Sequence, residues 1–131
     1  MKLLVGYDGS SVAKAALELA RQHATTWNAK IEVANCMHQN QKLKYEDIRK
    51  VEQNLDDEVH AIMNSGKVSY QTHVLISDIE PGEELVRFAE DNKNDEIVIG
   101  IRKRSKVGKL MFGSTAQYVI LNAPCPVVTI K

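Results

Sequence analysis

Two stretches far apart in the chain concentrate glycine, hydroxyl groups and charge. The first is Gly6-Tyr7-Asp8-Gly9-Ser10. The second runs from Gly100 through Arg102, Lys103, Arg104, Lys106 and Lys109 to Gly113-Ser114-Thr115. Glycine lets backbone approach a ligand closely, so Gly100 and Gly113 can each bring N–H groups to an anion. A helix opening at Gly113-Ser114 would add its dipole and unpaired N–H donors, which suit a phosphate. The hydroxyls of Ser114 and Thr115 are further donors, and the five cationic side chains between residues 102 and 109 carry the matching charge. Asp8 is an acceptor suited to a ribose hydroxyl or an adenine amine. Together these features make a candidate nucleotide site. The plainer account of the same residues is that Asp8 caps a turn, the glycines serve loop geometry and the basic run is a solvated face.

Other chemistries find less support. Gly108-Lys109 is followed by Leu110 and residue 103 is not glycine, so a Walker A loop is missing. His23, His38, His60 and His73 show no metal-ligand spacing and read as solvated or locally bonded. There is no G-x-S-x-G elbow. A receiver-type phosphoacceptor site needs clustered acids at the end of the first strand, and only Asp8 is placed for that. Cys36 and Cys125 stand outside any CxxC pattern and read as half-buried thiols of a reducing compartment. Glu80, Glu83, Glu84, Glu90 and Asp91 read as a solvated helix face.

The elements that must position the two stretches follow from hydrophobic periodicity. Leu3-Leu4-Val5 is a short apolar run closed by Gly6, a buried strand. Ser10 or Ser11 can cap the next helix, whose core stripe is Val12, Ala16, Leu19, Ala20 and Ala24. Ile31 to Ala34 is a second strand, and a polar loop from His38 to Lys44 follows. Ile48, Val51, Leu55, Val59 and Ile62 line one face of a second helix ended by Ser65-Gly66. Tyr70, Thr72, Val74 and Ile76 alternate with Gln71, His73 and Leu75, as in a strand exposed on one side. Pro81 opens a third helix with Leu85, Phe88 and Ala89 on one face. Ile97-Val98-Ile99 is apolar on both faces and ends at Gly100. A fourth helix begins at Gly113-Ser114-Thr115, and Pro124 and Pro126 introduce a last strand, Val127-Val128-Thr129-Ile130.

Such βα alternation implies an α/β fold: an open five-stranded parallel sheet with helices on both faces and right-handed crossovers. Strand orders 3-2-1-4-5 and 2-1-3-4-5 both fit a doubly wound sheet. The edge-like third strand and the continuously apolar first and fourth strands favour 3-2-1-4-5. Ligands bind beyond the carboxyl ends of strands where that order reverses, here between strands one and four. The two stretches meet at that point.

Length and charge set the outer limits. The chain has 131 residues, which suits one domain over 1–131. It is 44% hydrophobic and 26% charged, with 17 basic and 17 acidic residues and no net charge. That balance argues against a general nucleic-acid or membrane binder. Met1-Lys2 leads directly into a strand, and no apolar run approaches the ~20 residues needed to span a bilayer, so a cytoplasmic location is expected.

Over essentially its whole length the sequence resembles the universal stress protein family. Val5-Gly6-Tyr7-Asp8-Gly9-Ser10, the segment from Ile97 to Thr115, and Ala123-Pro124-Cys125-Pro126-Val127-Val128 carry the likeness. The family's ATP-binding branch has a glycine, two residues, a second glycine, nine residues, then Gly-Ser or Gly-Thr. Gly100 and Gly113-Ser114 match the two ends of that pattern, and Lys103 replaces the second glycine. The resemblance implies the 3-2-1-4-5, adenine nucleotide alpha hydrolase-like fold. It further implies adenine and ribose near Gly6, Asp8 and Cys36, and phosphates near Gly100, Gly113, Ser114 and Thr115. Lys103, flanked by Arg102 and Arg104, either directs its ammonium at the phosphates or crowds them.

Three functions are compatible with this pattern. The first is a regulatory stress-response protein that binds ATP, with ADP and AMP as alternatives and Mg as the nucleotide's companion ion, without efficient catalysis. The second is an enzyme using the same site, such as a slow ATPase, for which Asp8 is the one candidate metal-binding carboxylate. The third is a nucleotide-free interaction module closed by Lys103. In any of them the apolar last strand, Val127, Val128, Thr129 and Ile130, lacks the charge that protects an exposed edge. Pairing with the same strand of a second chain, as a homodimer, would cover it.

Overall fold

A computed structural model describes residues 1–40, 42–64, 66–102 and 113–131. Its strands are β1 (Lys2–Gly6), β2 (Lys30–His38), β3 (Tyr70–Ser77), β4 (Glu96–Gly100) and β5 (Val127–Ile130). They alternate with helices α1 (Ser11–Trp27), α2 (Tyr45–Met63), α3 (Pro81–Asn92) and α4 (Ser114–Asn122). All neighbouring strands are parallel, in the order β3-β2-β1-β4-β5. The order reverses at β1, as the sequence pattern favours.

Successive strand residues face opposite sides of the sheet, so each continuous apolar run serves two cores at once. Leu3 and Val5 of β1 and Val98 of β4 pack with α1 and α2. Leu4 of β1 and Ile97 and Ile99 of β4 pack with α3 and α4. All but Ile99 of these six are wholly shut off from solvent, and Ile99 nearly so.

Four local expectations need correction. The buried face of α1 is Ala13, Ala16, Leu17, Ala20 and Ala24; Leu19 only flanks the core and Val12 turns toward the carboxyl end of the sheet. Two stripes overlap in this alanine-rich helix, and the one with small side chains lets it lie close to the strands. In α2 the burial falls on Leu55, Val59 and Met63, while Ile48, Val51 and Ile62 are half-buried. β2 runs on to His38 because it pairs with β3 all the way to Ser77, and Asn35 and His38 hide that extension in the sequence. β3 is an edge strand, but its second face is also covered: His73 lies against the Phe88 ring at 4.9 Å and Leu75 joins the second core. Ser65, in the expected stop of α2, lies outside the described residues.

Ser10, not Ser11, caps α1, its hydroxyl accepting from the Ala13 N–H at 3.2 Å. Among the described residues no helix is long and apolar enough to cross a membrane.

Candidate functional site

The carboxyl ends of β1 and β4 open into a crevice of about 390 Å³. Its walls come from the β1–α1 loop, the end of β2, the first turn of α3, the end of β4 and the first turn of α4. Gly6, Asp8, Ser10, Cys36, Gly100, Arg102, Gly113, Ser114 and Thr115 all line it. Lys103, the remaining candidate, lies outside the described residues, as do Arg104, Lys106 and Lys109.

Local chemistry shapes the β1–α1 loop. Asp8 Oδ1 accepts from the Ser10 N–H at 2.9 Å, and Gly9 between them has φ +82°, a conformation glycine adopts without strain. Across the crevice Arg102 Nη2 stands 3.5 Å from Asp8 Oδ2. Burial alone would raise the Asp8 carboxyl, but the hydrogen bonds from Ser10 and the Arg102 charge outweigh it and hold it below the ordinary aspartate value. Asp8 is therefore an ionised acceptor at neutral pH, already tied to the opposite wall.

Gly100 and Gly113 differ in the reason each is glycine. A Cβ on Gly100 would lie 2.6 Å from both the carbonyl carbon and the oxygen of Val12. The first turn of α1 thus rests directly on the end of β4, and packing alone demands glycine there. A Cβ on Gly113 would meet nothing within 4 Å. Gly113 is the N-cap of α4 and supplies no side-chain bond to the helix's first N–H groups. Those donors, with the Ser114 and Thr115 hydroxyls, form a polar wall suited to an anion.

The base of the crevice is less polar. Ala34, Leu85 and Ile99 line it together with Cys36. Burial first, and then the charge of neighbouring Glu84, push the Cys36 thiol up to about 12, so it is no nucleophile at neutral pH. Tyr7, 3% exposed, also lines the crevice and donates its hydroxyl to Glu58 Oε2 of α2 at 3.1 Å.

The family model described as "Universal stress protein family" matches residues 1–131. The chain belongs to the universal stress protein family. A universal stress protein of Mycolicibacterium smegmatis is 29% identical over 129 residues, spanning 98% of this chain and 96% of that one. A universal stress protein structure from Archaeoglobus fulgidus superposes with a TM-score of 0.87 at 35% identity, covering 100% of this chain and 98% of the other. A universal stress protein structure from the same organism in complex with dAMP gives a TM-score of 0.83 at 30% identity, again covering 100% and 98%.

Three residues of this universal stress protein escaped sequence reasoning. Tyr7 and Glu58 are joined only by the fold, with 51 residues between them in the chain. Glu84 belongs to an acidic run that resembles a solvated face, yet its Oε2 is buried and has no hydrogen-bond partner among the described residues. Glu84 is not itself a lining residue of the crevice; Pro81 and Leu85 of the same helix are.

Proposed function

We propose that this universal stress protein binds an adenine nucleotide, with ATP as the physiological ligand, and acts as a regulatory stress-response protein without efficient catalysis. The observation that carries the reading is the position of the α4 N-terminus, with Gly113, Ser114 and Thr115, in the same crevice as ionised Asp8 where the strand order reverses. The phosphates take the α4 wall and the ribose takes Asp8. Support comes from the Archaeoglobus fulgidus relative, whose structure contains dAMP and which is 30% identical over the whole of this chain. A Mg ion would arrive on the phosphates, with Asp8 the lining carboxylate nearest in chemistry to a ligand.

Titration calorimetry with ATP, ADP and AMP tests this. Binding of ATP with turnover slower than about 1 per second, the low end of ordinary enzyme rates, is the expected result. Absence of binding by all three at millimolar concentration overturns it in favour of the nucleotide-free module. The Asp8–Arg102 contact across the crevice favours that second reading. Lys103 bears on the choice through its place at the family's second-glycine position. Lys103→Glu weakens ATP far more than adenosine if the ammonium serves the phosphates; Lys103→Gly tightens ATP if the side chain obstructs them.

The homodimer belongs to the same proposal. β5 ends the sheet with Val127, Val128 and Ile130 half-buried and only Thr129 and Lys131 fully exposed. A two-fold pairing of β5 with β5 covers this edge. Sedimentation at micromolar concentration should show a dimer, and Val128→Pro should release monomers.

A further inference from the structure

The loop that carries Asp8 is held from outside the crevice. Backbone bonds fix its two ends: the Tyr7 N–H donates to the Ala34 carbonyl of β2 at 2.9 Å, and Ser10 caps α1. Only Asp8 and Gly9 lie between, and Gly9, at φ +82°, has no side chain to anchor them. Tyr7 supplies the anchor. Its side chain lines the crevice and also belongs to the first core, together with Leu55 and Val59 of α2. Its hydroxyl donates to Glu58 Oε2 at 3.1 Å. The same oxygen backs the loop at a second point, since a Cβ on Gly9 would lie 3.8 Å from it.

Among the described residues α2 contributes nothing to the crevice wall, so Glu58 reaches the site only through the loop. Leu55 and Val59, both buried, seat this turn of α2 in the core and give the carboxylate a rigid base. A phenylalanine at residue 7 would fill the same core with no hydroxyl to satisfy. The hydroxyl that is present fixes the ring, and with it the loop, against α2. Groups that bind a ligand keep their geometry only when the residues behind them are themselves held.

We propose that Glu58 is a positioning residue for ligand binding: through the Tyr7 hydroxyl it fixes the β1–α1 loop and so the place of Asp8. The inference rests on the nucleotide reading above and deepens it by naming a residue of α2, outside the crevice, on which that binding depends.

The test is calorimetry of ATP on the native protein, Glu58→Ala, Glu58→Gln, Tyr7→Phe and the double variant Glu58→Ala/Tyr7→Phe, each below its own melting temperature. Glu58→Ala should weaken ATP about five- to tenfold, the worth of the bond that holds the loop. Tyr7→Phe keeps the ring and removes the hydroxyl, so it should weaken ATP by the same factor. The double variant should match either single one within about twofold, because both break one link. Glu58→Gln drops the charge but keeps an acceptor oxygen, so it should stay within about twofold of the native chain. A purely structural role would lower the melting temperatures and leave these affinities alone. Tyr7→Phe binding ATP as tightly as the native chain overturns the inference, whether or not Glu58→Ala folds. So does a Glu58→Gln protein as weak as Glu58→Ala, which would make the charge and not the bond responsible. A double variant weakened by the product of the single effects overturns it too, since Glu58 would then act without Tyr7. If ATP, ADP and AMP all fail to bind the native chain, the nucleotide reading falls and this inference falls with it; if ATP binds all variants equally, only this inference falls.

Discussion

The two ends of the sheet bury charge in opposite ways. At the amino end Glu32 of β2 is 8% exposed, and its carboxylate receives Asn94 Nδ2 at 3.2 Å. His73 Nε2 approaches the same carboxylate at 3.2 Å, within ion-pair range but off the angle of a hydrogen bond, and Lys2 Nζ stands at 4.0 Å. Glu96 of β4 is 7% exposed and meets His23 Nδ1 at 3.2 Å. Asn94 Oδ1 is the one acceptor in this group without a partner among the described residues. At the carboxyl end Asp8 and Arg102 are mostly exposed and only loosely paired, Glu84 Oε2 has no donor among the described residues, and a Cβ at the Gly113 N-cap of α4 would meet nothing within 4 Å. Charge that is buried and paired holds strands and helices in register. Donors and acceptors left over around a crevice are capacity for something else. The same strands β1 and β4 carry both ends, so the difference lies in side chains and loops, not in the sheet.

The largest effect expected from this contrast is at Gly100. Gly100→Val forces side-chain atoms into the backbone of Val12, and overpacking of that kind costs about 3 kcal/mol. Gly113→Ala meets no atom and should cost within about 1 kcal/mol, the loss expected from a poorer N-cap. Urea unfolding midpoints of the two variants compare them directly. A Gly100→Val protein as stable as the native chain would show that α1 does not rest on β4 as described.

The amino end gives the next effect. Glu32→Ala strips Asn94 Nδ2 of its acceptor and leaves His73 without the carboxylate beside it, and about 2 kcal/mol of stability should go with it. Because this network lies at the opposite end of the strands from the crevice, AMP affinity should stay within about twofold, as additivity of distant sites requires. A larger change in affinity would mean that the two ends are coupled and the contrast between them is too sharply drawn.

The legibility of these regions in the sequence follows the same division. Strand order was readable because β1 and β4 are apolar on both faces and β3 is not. The loop glycines, Asp8 and Ser114 were readable because each stands next to a strand end or helix start in the chain. What escaped was anything decided by distance across the fold. Glu84 looked like one more exposed acid because its place in an acidic run does not reveal that one of its oxygens is closed to solvent. The packing reason for Gly100 was hidden because the sequence does not reveal how near α1 passes. β2 looked short because pairing to β3, not its own polar composition, extends it to His38.

The smallest effect concerns Tyr7, a residue at the carboxyl end that is satisfied in the manner of the amino end. Its phenol is buried and donates to Glu58 at 3.1 Å, joining the β1–α1 loop to α2. Burial first, then the hydrogen bond to Glu58 and the charges of Glu58 and Asp8, push the phenol from its usual 10.0 up to about 12. A group whose pKa is raised on folding contributes fully below its unfolded value and loses that contribution as pH rises through the folded one. Tyr7 therefore costs stability progressively between pH 10.0 and about 12. Cys36 shifts in the same direction, from 9.0 to about 12, and starts the alkaline loss earlier. Tyr7→Phe should lower stability at pH 7 by about 1 kcal/mol, the worth of one hydrogen bond. It should also flatten the decline above pH 10.0 and leave the part that begins at 9.0, to which Cys36 and Cys125, both raised by burial, contribute. Urea midpoints across pH 7 to 12 for the native chain, Tyr7→Phe and Cys36→Ala separate the two contributions. An alkaline slope unchanged by Tyr7→Phe would mean that the phenol is neither buried nor held by Glu58 as described.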